Sequence, residues 1–468
     1  MDTSSISSSL RSDQVLTGDD EVQKRSRDWW PLAYVRESRG ELAPMPAAVV
    51  RPESTDQVAD IVRWAAREGH SVVVRGGGSG VCGAATPPGG AVVLETTALD
   101  EIQIDVDAKI VTVGAGVFGD RLEAALNAEG LTLGHSPQSV AVSTVGGWIG
   151  TSSAGQMTPG YGFIEDHVIG LTAVLADGTV VDLKPTPRSA VGPDLRRLLI
   201  GSEGRFGVVT QVVLSCHPAL RGMVWRAHQL PDFAATWALA HTIQHSGAGP
   251  TVLRGWDADD ATAAFGSLGA QSGAVSVVGF DEALPGLQER AAVVERAAAD
   301  LGGSRLDDVA YGEAWWQHRL GAVHTFRDVL GPERAWGELT ILDTVEVSVC
   351  WPDVARTYAA MTAAISTHAA WVRCHYSHVF DAGLALYFTF VVEGEDVDGM
   401  EATYHRTWEA AMTACISSGA SASHHHGMGR LKAKWTAQDV GDGAAALLER
   451  ITTSCDPAGV LNPGALLP

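Results

Sequence analysis

The alternation of apolar and polar positions divides this chain into blocks of different texture. Residues 1–25 are rich in Ser and Asp with few apolar positions, a composition that predicts disorder, and packing is expected to begin at Trp29-Trp30-Pro31. From Pro46 the pattern turns regular. Ser54-x-x-Gln57 reads as a capping box, and Val58, Ile61, Val62 and Ala65 fall on one helical face that Gly69 ends. The β-branched run Val72-Val73-Val74 then predicts a buried strand, and Ala91-Val92-Val93-Leu94 a second one.

A further block has a different order. A strand is expected at Ile110–Val113 and a helix from Arg121 to Glu129, with Leu122, Ala125 and Leu126 at helical spacing. Val168 to Leu183 reads as two strands joined at Asp177-Gly178, a hairpin signal, and Val208 to Leu214 as the strand that closes the block near Pro218. From 219 to 420 longer helical segments (Phe233–His245, Glu282–Ala299, Val354–Ala369) alternate with short strands. That change of texture marks a separate substrate or cap domain. The 468 residues allow two or three domains on length alone, and no internal repeat is visible.

The loop after the valine run is Arg75-Gly76-Gly77-Gly78-Ser79-Gly80. Four glycines in five residues let backbone N–H groups turn toward a ligand, a nest that suits a pyrophosphate. Gly78-Ser-Gly80-Val-Cys-Gly83 also spells G-x-G-x-x-G, but a dinucleotide-binding βαβ unit needs that run to open a helix. Here Pro87-Pro88-Gly89-Gly90 follows and leaves no room for one. A strand–glycine loop–strand cradle is the reading that survives, against the plainer one that these glycines only make turns.

Composition narrows the partners. A net charge of −22 disfavours nucleic acid and anionic membranes but permits an anionic small molecule in a locally opposed site. The six cysteines are scattered without a C-x-x-C, so a structural zinc is not expected and reduced thiols are the simplest reading. With no run of 18 apolar residues and no export signal, the expectation is a cytoplasmic protein without a membrane span.

Three motifs then occur in order: Ser143-Thr144-Val145-Gly146-Gly147-Trp148; Pro187-Arg188 with Gly192-Pro193-Asp194-Leu195 and Gly201-Ser202-Glu203-Gly204; and Ser423-x-His-His-His-Gly-x-Gly429-x-Leu431. Together they resemble the vanillyl-alcohol-oxidase/PCMH-type FAD-binding flavoproteins, and within them the alkylglycerone-phosphate synthase group with its bacterial relatives. The resemblance covers about residues 28–468. It implies an α+β chain. A two-subdomain FAD-binding domain would span residues 26–218 (about 42–105 and 106–218), followed by an α/β cap domain at 219–420 and a C-terminal segment, 421–468, returning to the FAD domain.

The same resemblance implies FAD held by Arg75, Gly76, Gly77, Gly78, Ser79 and Gly80 at its pyrophosphate. Pro137, Ser143, Thr144, Gly146, Gly147, Ser153, Glu203, Gly204 and Val208 would surround the rest of the cofactor. Relatives that tether the flavin commonly use a histidine in the first glycine loop. Neither that loop nor the Ser143–Gly155 stretch offers a histidine or cysteine, so the cofactor is expected to be non-covalent.

The implied chemistry falls on a few side chains. Tyr387, in an alternating strand, matches the family's acid/base tyrosine; the bland reading is a core aromatic. His424, His425 and His426 match its triple histidine, where imidazoles can hold an anion and shuttle protons; a surface cluster is the alternative. Arg327 matches an arginine that holds the substrate's phosphate, with a surface Arg–Asp pair as the alternative. Arg254 also falls in a matching segment without an assigned role, and Asp343-Thr344-x-Glu346-x-Ser348-x-x-Trp351 resembles a cap-domain strand in which Thr344 adds a hydroxyl donor, with a polar edge strand as the alternative.

No metal is expected. The reaction implied is flavin-N5 chemistry on a small oxygenated substrate bearing a phosphate-like or carboxylate anion, exchanging an acyl for an alkyl group. The alternative is an FAD-dependent oxidase or dehydrogenase that takes hydride from a hydroxyl-bearing carbon, in specialised metabolism for example. Large flavoproteins are often dimers, which leaves a homodimer open.

Overall fold

The structure is a computed structural model that describes residues 10–41, 43–270, 273–321, 329–330, 337 and 339–468. The chain forms two compact units. The first comprises the chain through Ala154, Phe163–Pro218 and His425–Pro468; the second comprises Gly155–Gly162 and Ala219–His424.

The first unit begins with β1 (Val15–Leu16), β2 (Ala48–Val50), α1 (Thr55–Glu68), β3 (Val72–Arg75) and β4 (Val92–Glu95). The strands form a four-stranded sheet in the order β1-β2-β4-β3, with β4 parallel to both of its neighbours. Ser54 caps α1 by accepting from Gln57 N, while the Gln57 side chain accepts from Glu53 N, one residue earlier than a closed capping box would place it. Val58, Ile61, Val62 and Ala65 are buried against Val72, Val92, Leu94 and Leu461. Burying each large aliphatic side chain contributes about 1.5–3 kcal/mol, so this face holds the helix on the sheet.

Residues 12–23 do not form the disordered tail that their composition predicts. Val15 pairs with Val50, Gln14 exchanges hydrogen bonds with Arg51, and Val22 packs on Val49 and Val93. A strand ladder and one buried valine satisfy a segment too polar to announce itself.

Next come β5 (Ile102–Asp105), β6 (Ile110–Gly114), α2 (Gly119–Ala128), α3 (Val145–Thr151), β7 (Val168–Val174), β8 (Val180–Leu183) and β9 (Val208–Ser215). Their sheet runs β5-β6-β9-β7-β8, antiparallel throughout. The β7–β8 hairpin turns at Asp177-Gly178 as expected, with Gly178 at φ +78°. The C-terminal segment returns to the first sheet. Val72 N donates to Val460 O at 2.7 Å and Asn462 N to Val72 O at 2.8 Å, a parallel bridge that covers the edge of β3.

The second unit is built on β10 (Met223–Leu230), α4 (Phe233–His245), β11 (Val252–Trp256), α5 (Ala258–Phe265), β12 (Ala274–Asp281), α6 (Leu287–Asp300), β13 (Ser304–Arg305) and α7 (Asp308–His318). It continues with β14 (Thr340–Cys350), α8 (Val354–Ser366), β15 (Trp371–Val379), β16 (Gly383–Glu393) and α9 (Val397–Ser417). Seven antiparallel strands run β13-β10-β12-β11-β15-β16-β14. Helices α8 and α9 pack on β14–β16 and α4 on β11 and β12, burying Val345, Val347, Leu386, Phe388, Phe390 and Tyr376. Strand alternation sends Thr344, Glu346, Tyr387, Thr389 and His375 to the opposite face. No helix among the described residues is long and apolar enough to cross a membrane.

Candidate functional site

In the first unit the expected cradle is a main-chain surface. β3 ends at Arg75, which is buried and donates through Nη1 to Arg27 O at 2.7 Å. Gly76 and Gly77 then press on the segment before α3. A Cβ on Gly76 would lie 2.1 Å from Thr144 Oγ1, and one on Gly77 only 1.9 Å from Val142 O. Gly78 has φ +69°, where an L side chain is strained. Among the described residues, none accepts from the N–H of Gly77, Gly78 or Ser79. Donors without acceptors, beside positions where any Cβ would clash, are what a pyrophosphate needs, so these residues fit FAD.

The STVGGW segment is a helix start. Thr144 Oγ1 accepts from Gly147 N at 3.3 Å, capping α3, and Gly146 lies against Ala115, whose Cβ and carbonyl would be within 3 Å of an added Cβ. The Ser143 hydroxyl is committed within the chain: it accepts from Trp148 Nε1 and donates to Ser139 O, both at 2.8 Å. Pro137 O accepts from Val140 N, closing the turn that leads there. Ser153 Oγ lies 2.9 Å from Nε2 of His135, which sits edge-on to Trp148. His135 went unnoticed in the sequence. Burial, with His167 and His425 adding to it, pushes the ring down to about 3, so it is neutral at physiological pH. The polar run Gly134-His135-Ser136-Pro137 between two apolar stretches was the available signal.

Glu203 is held at φ +52° and is 6% exposed. Its carboxylate accepts from Met428 N and from Gly429 N, so it fastens the first-unit end of the histidine segment. Burial raises its pKa, opposed first by the Gly429 and Met428 N–H bonds and then by the charges of Lys432 and Arg430. Gly204, at φ +76°, lies against Val74, and Val208 is fully buried at the start of β9. Asn462 Nδ2 donates to Glu203 O and to Ala84 O, and Arg205 Nη1 to Leu461 O, so the C-terminal segment braces both loops. His425 and His426 lie in this unit, half-buried, with their rings 4.5 Å apart.

The second unit presents side chains. Across its sheet the central rung reads Glu346–Tyr387–His375–Trp256, each residue directly opposite the next. The rung to one side is Thr344–Thr389–Arg373 and to the other Ser348–Ala385–His378. Tyr387 is therefore no core aromatic: its ring stacks on His375 at 4.9 Å and 21°. His375 Nδ1 is 2.8 Å from Asp260 Oδ2 on α5. Burial pushes His375 below its ordinary value, and Asp260 only partly offsets it. Burial also pushes Asp260 up, but His375, Arg373 and Arg254 together hold it below the usual carboxylate range.

Glu346, 1% exposed, accepts from Ser423 Oγ at 2.9 Å and from His424 N. It thereby ties His424 to the strand that faces Tyr387. His424 stacks on His378, whose Nδ1 is 2.9 Å from Thr158 Oγ1. β15 carries a bulge between Tyr376 and His378, and this extra residue, Ser377, lets His378 align with Ala385 on the polar face. Neither Asp260–His375 nor the bulge could be read from sequence, because both depend on strand register. Arg327 lies outside the described residues.

Residues 46–184 match the FAD binding domain and residues 225–466 the C-terminal domain of FAD linked oxidases. The chain is 31% identical, over 91% of its length and 90% of the relative's, to an uncharacterised FAD-linked oxidoreductase of Escherichia coli, YgcU. It is 28% identical to an alkyldihydroxyacetonephosphate synthase of Trypanosoma brucei brucei, over 95% of this chain and 76% of that one. Among solved structures, an alkyldihydroxyacetonephosphate synthase superposes with a TM-score of 0.80 at 20% identity, covering 98% of this chain and 84% of the other. A glycine cradle that leaves no room for a Cβ, the paired domain matches and an E. coli relative alike from end to end carry one conclusion: this chain is a flavoenzyme of the FAD-linked oxidase family, and its cofactor is FAD.

Proposed function

We propose that the enzyme acts on a small oxygenated substrate bearing a phosphate-like or carboxylate anion, exchanging an acyl group for an alkyl group without net oxidation. The observation that carries this reading is the Glu346–Tyr387–His375 rung, which sets a phenol between a buried carboxylate and an imidazole paired to Asp260. The similarity to the T. brucei synthase over nearly the whole chain supports the reaction type.

When bound, FAD supplies an electrophilic ring nitrogen and a two-electron acceptor. The chain's own part is proton management. Tyr387 removes a proton from the substrate carbon and later returns it, with His375 fixing the phenol's orientation. The acyl group departs as a carboxylate with the C–O electron pair, and the entering alcohol gives its proton to one of the histidines of the 424–426 segment. The histidines and Arg327 contribute positive charge or N–H donors to the anion. The FAD is non-covalent in this reading, in keeping with a glycine loop that has no histidine.

The E. coli relative's description as an oxidoreductase favours a second reading. In it Tyr387 takes the hydroxyl proton while the carbon bearing that hydroxyl gives up a hydride, for which FAD would be the acceptor. Anaerobic mixing of the yellow protein separates the two. Exchange predicts product formation with the flavin oxidised at the end of turnover; bleaching by a hydroxy substrate, without exchange, would replace it with the redox reading.

A further inference from the structure

Arg254 lies on β11, two residues before Trp256 and hence on the same face of the sheet as Trp256 and His375. It is only 2% exposed. Its guanidinium sits 5.2 Å above the Trp315 ring and 5.6 Å from that of Trp256. Among the described residues neither Nε nor Nη1 has a hydrogen-bond acceptor, and no carboxylate forms an ion pair with the guanidinium. The acid whose charge acts most on it, Asp260, is hydrogen-bonded to His375. Burial lowers its pKa to about 10, which leaves it charged at neutral pH.

A buried cation with unanswered N–H groups is costly, and folded chains rarely keep one without a use. β11 and β15 pair at Gly255–Tyr376 and Trp256–His375. One position further along the same strands come Arg254 and Ser377, the inserted bulge residue. The Ser377 hydroxyl is also buried, with no partner among the described residues. Two orphaned donors of complementary kind thus occupy successive places beside the stacked His375–Tyr387 pair.

We propose that Arg254 and Ser377 form the oxyanion-binding pocket for the substrate, taking the carboxylate or phosphate group whose neighbouring carbon Tyr387 serves. This rests on the proposed function and adds Arg254 and Ser377 to the anion-holding groups given there, Arg327 and the histidines. Guanidinium suits the task because its planar N–H groups give short, charge-assisted bonds to oxyanions, and the apolar tryptophan walls strengthen them.

The test uses the flavin-loaded enzyme and three probes: glycolate, inorganic phosphate and uncharged ethylene glycol. Binding is followed by calorimetry and by tryptophan emission, since Trp256 and Trp315 lie under the guanidinium. At least one anion should bind wild type, while ethylene glycol should not. Arg254→Gln should weaken the anion about tenfold or more and Ser377→Ala a few-fold, with flavin content and melting temperature retained. Preference for glycolate or for phosphate tells a carboxylate substrate from a phosphate ester. Unchanged anion affinity in Arg254→Gln, or no anion binding to wild type, overturns the proposal. If Arg254→Gln loses its flavin, Arg254→Lys decides: weakened binding supports the pocket, and wild-type affinity rejects it. Anion binding through Arg254 in a protein that catalyses neither exchange nor flavin reduction would sink the proposed reaction and leave the pocket standing.

Discussion

In the first unit the candidate cofactor surface is main chain; in the second the proposed substrate surface is side chain. Gly76 and Gly77 admit nothing larger than hydrogen, and the hydroxyls of Ser143 and Thr144 are spent on holding Trp148 and capping α3. The sheet of the second unit instead presents Glu346, Tyr387, His375 and Arg254 as side chains on paired strands. A site made of backbone tolerates almost no substitution at its close contacts, yet asks little of the residues around it. A site made of side chains is open to retuning one residue at a time, which suits the part of an enzyme that chooses a substrate.

The contrast can be broken at its strongest point first. Gly77→Val drives a side chain into Val142 O, with an overpacking cost of about 3 kcal/mol or more, and is expected to yield protein with little or no flavin by absorbance ratio. Tyr387→Phe should do the reverse: one FAD per chain retained, with turnover reduced about 10²- to 10⁴-fold. Loss of flavin in that variant would show that Tyr387 supports the cofactor rather than the proposed chemistry. Glu346→Gln weakens the bonds that hold Ser423 and His424 and should lower unfolding free energy by about 1–3 kcal/mol in denaturant titrations, at unchanged flavin content.

A pH effect belongs to the first unit. Burial lowers His135 to about 3 and His167 to about 4, both below the ordinary histidine value. The unfolded chain therefore binds protons that the folded one refuses, and stability falls as pH drops below about 6.5. Each ring adds at most about 1.4 kcal/mol per pH unit. His135→Gln should flatten the decline measured between about pH 7 and pH 5, and an unaltered slope would show the ring already charged in the folded protein. Smallest of all, Ser54→Ala removes the cap of α1 and should cost about 1 kcal/mol, with no change in flavin binding or turnover.

Much of the first unit was readable because its signals are local. Ser54, the valine run and Asp177-Gly178 each determine a cap, strand or turn within a few residues, and all three formed where expected. In the second unit Phe233–His245 matches to the residue, whereas the segment read as Glu282–Ala299 becomes helical only at Leu287, past Pro285, and Val354–Ala369 ends at Ser366. What escaped was register. Nothing near His375 in the chain announces Asp260, 115 positions away, and the bulge at Ser377 shows only when β15 lies beside β16. Glu203 was expected beside the cofactor; its carboxylate holds Met428 and Gly429, a pairing 225 residues long that no motif encodes. Residues 12–23 escaped for the opposite reason, since their order comes from a ladder to β2 rather than from their own polarity.

The bridge from Val72 to Leu461 has a bearing on biogenesis. The strand leading into the glycine loop emerges early in translation, but its outer edge stays open until residues 460–462 have cleared the ribosome. The bonds from Arg205 to Leu461 and from Asn462 to Glu203 are then completed only after synthesis of nearly every residue between them, and a nascent chain must keep that β edge from foreign partners in the meantime.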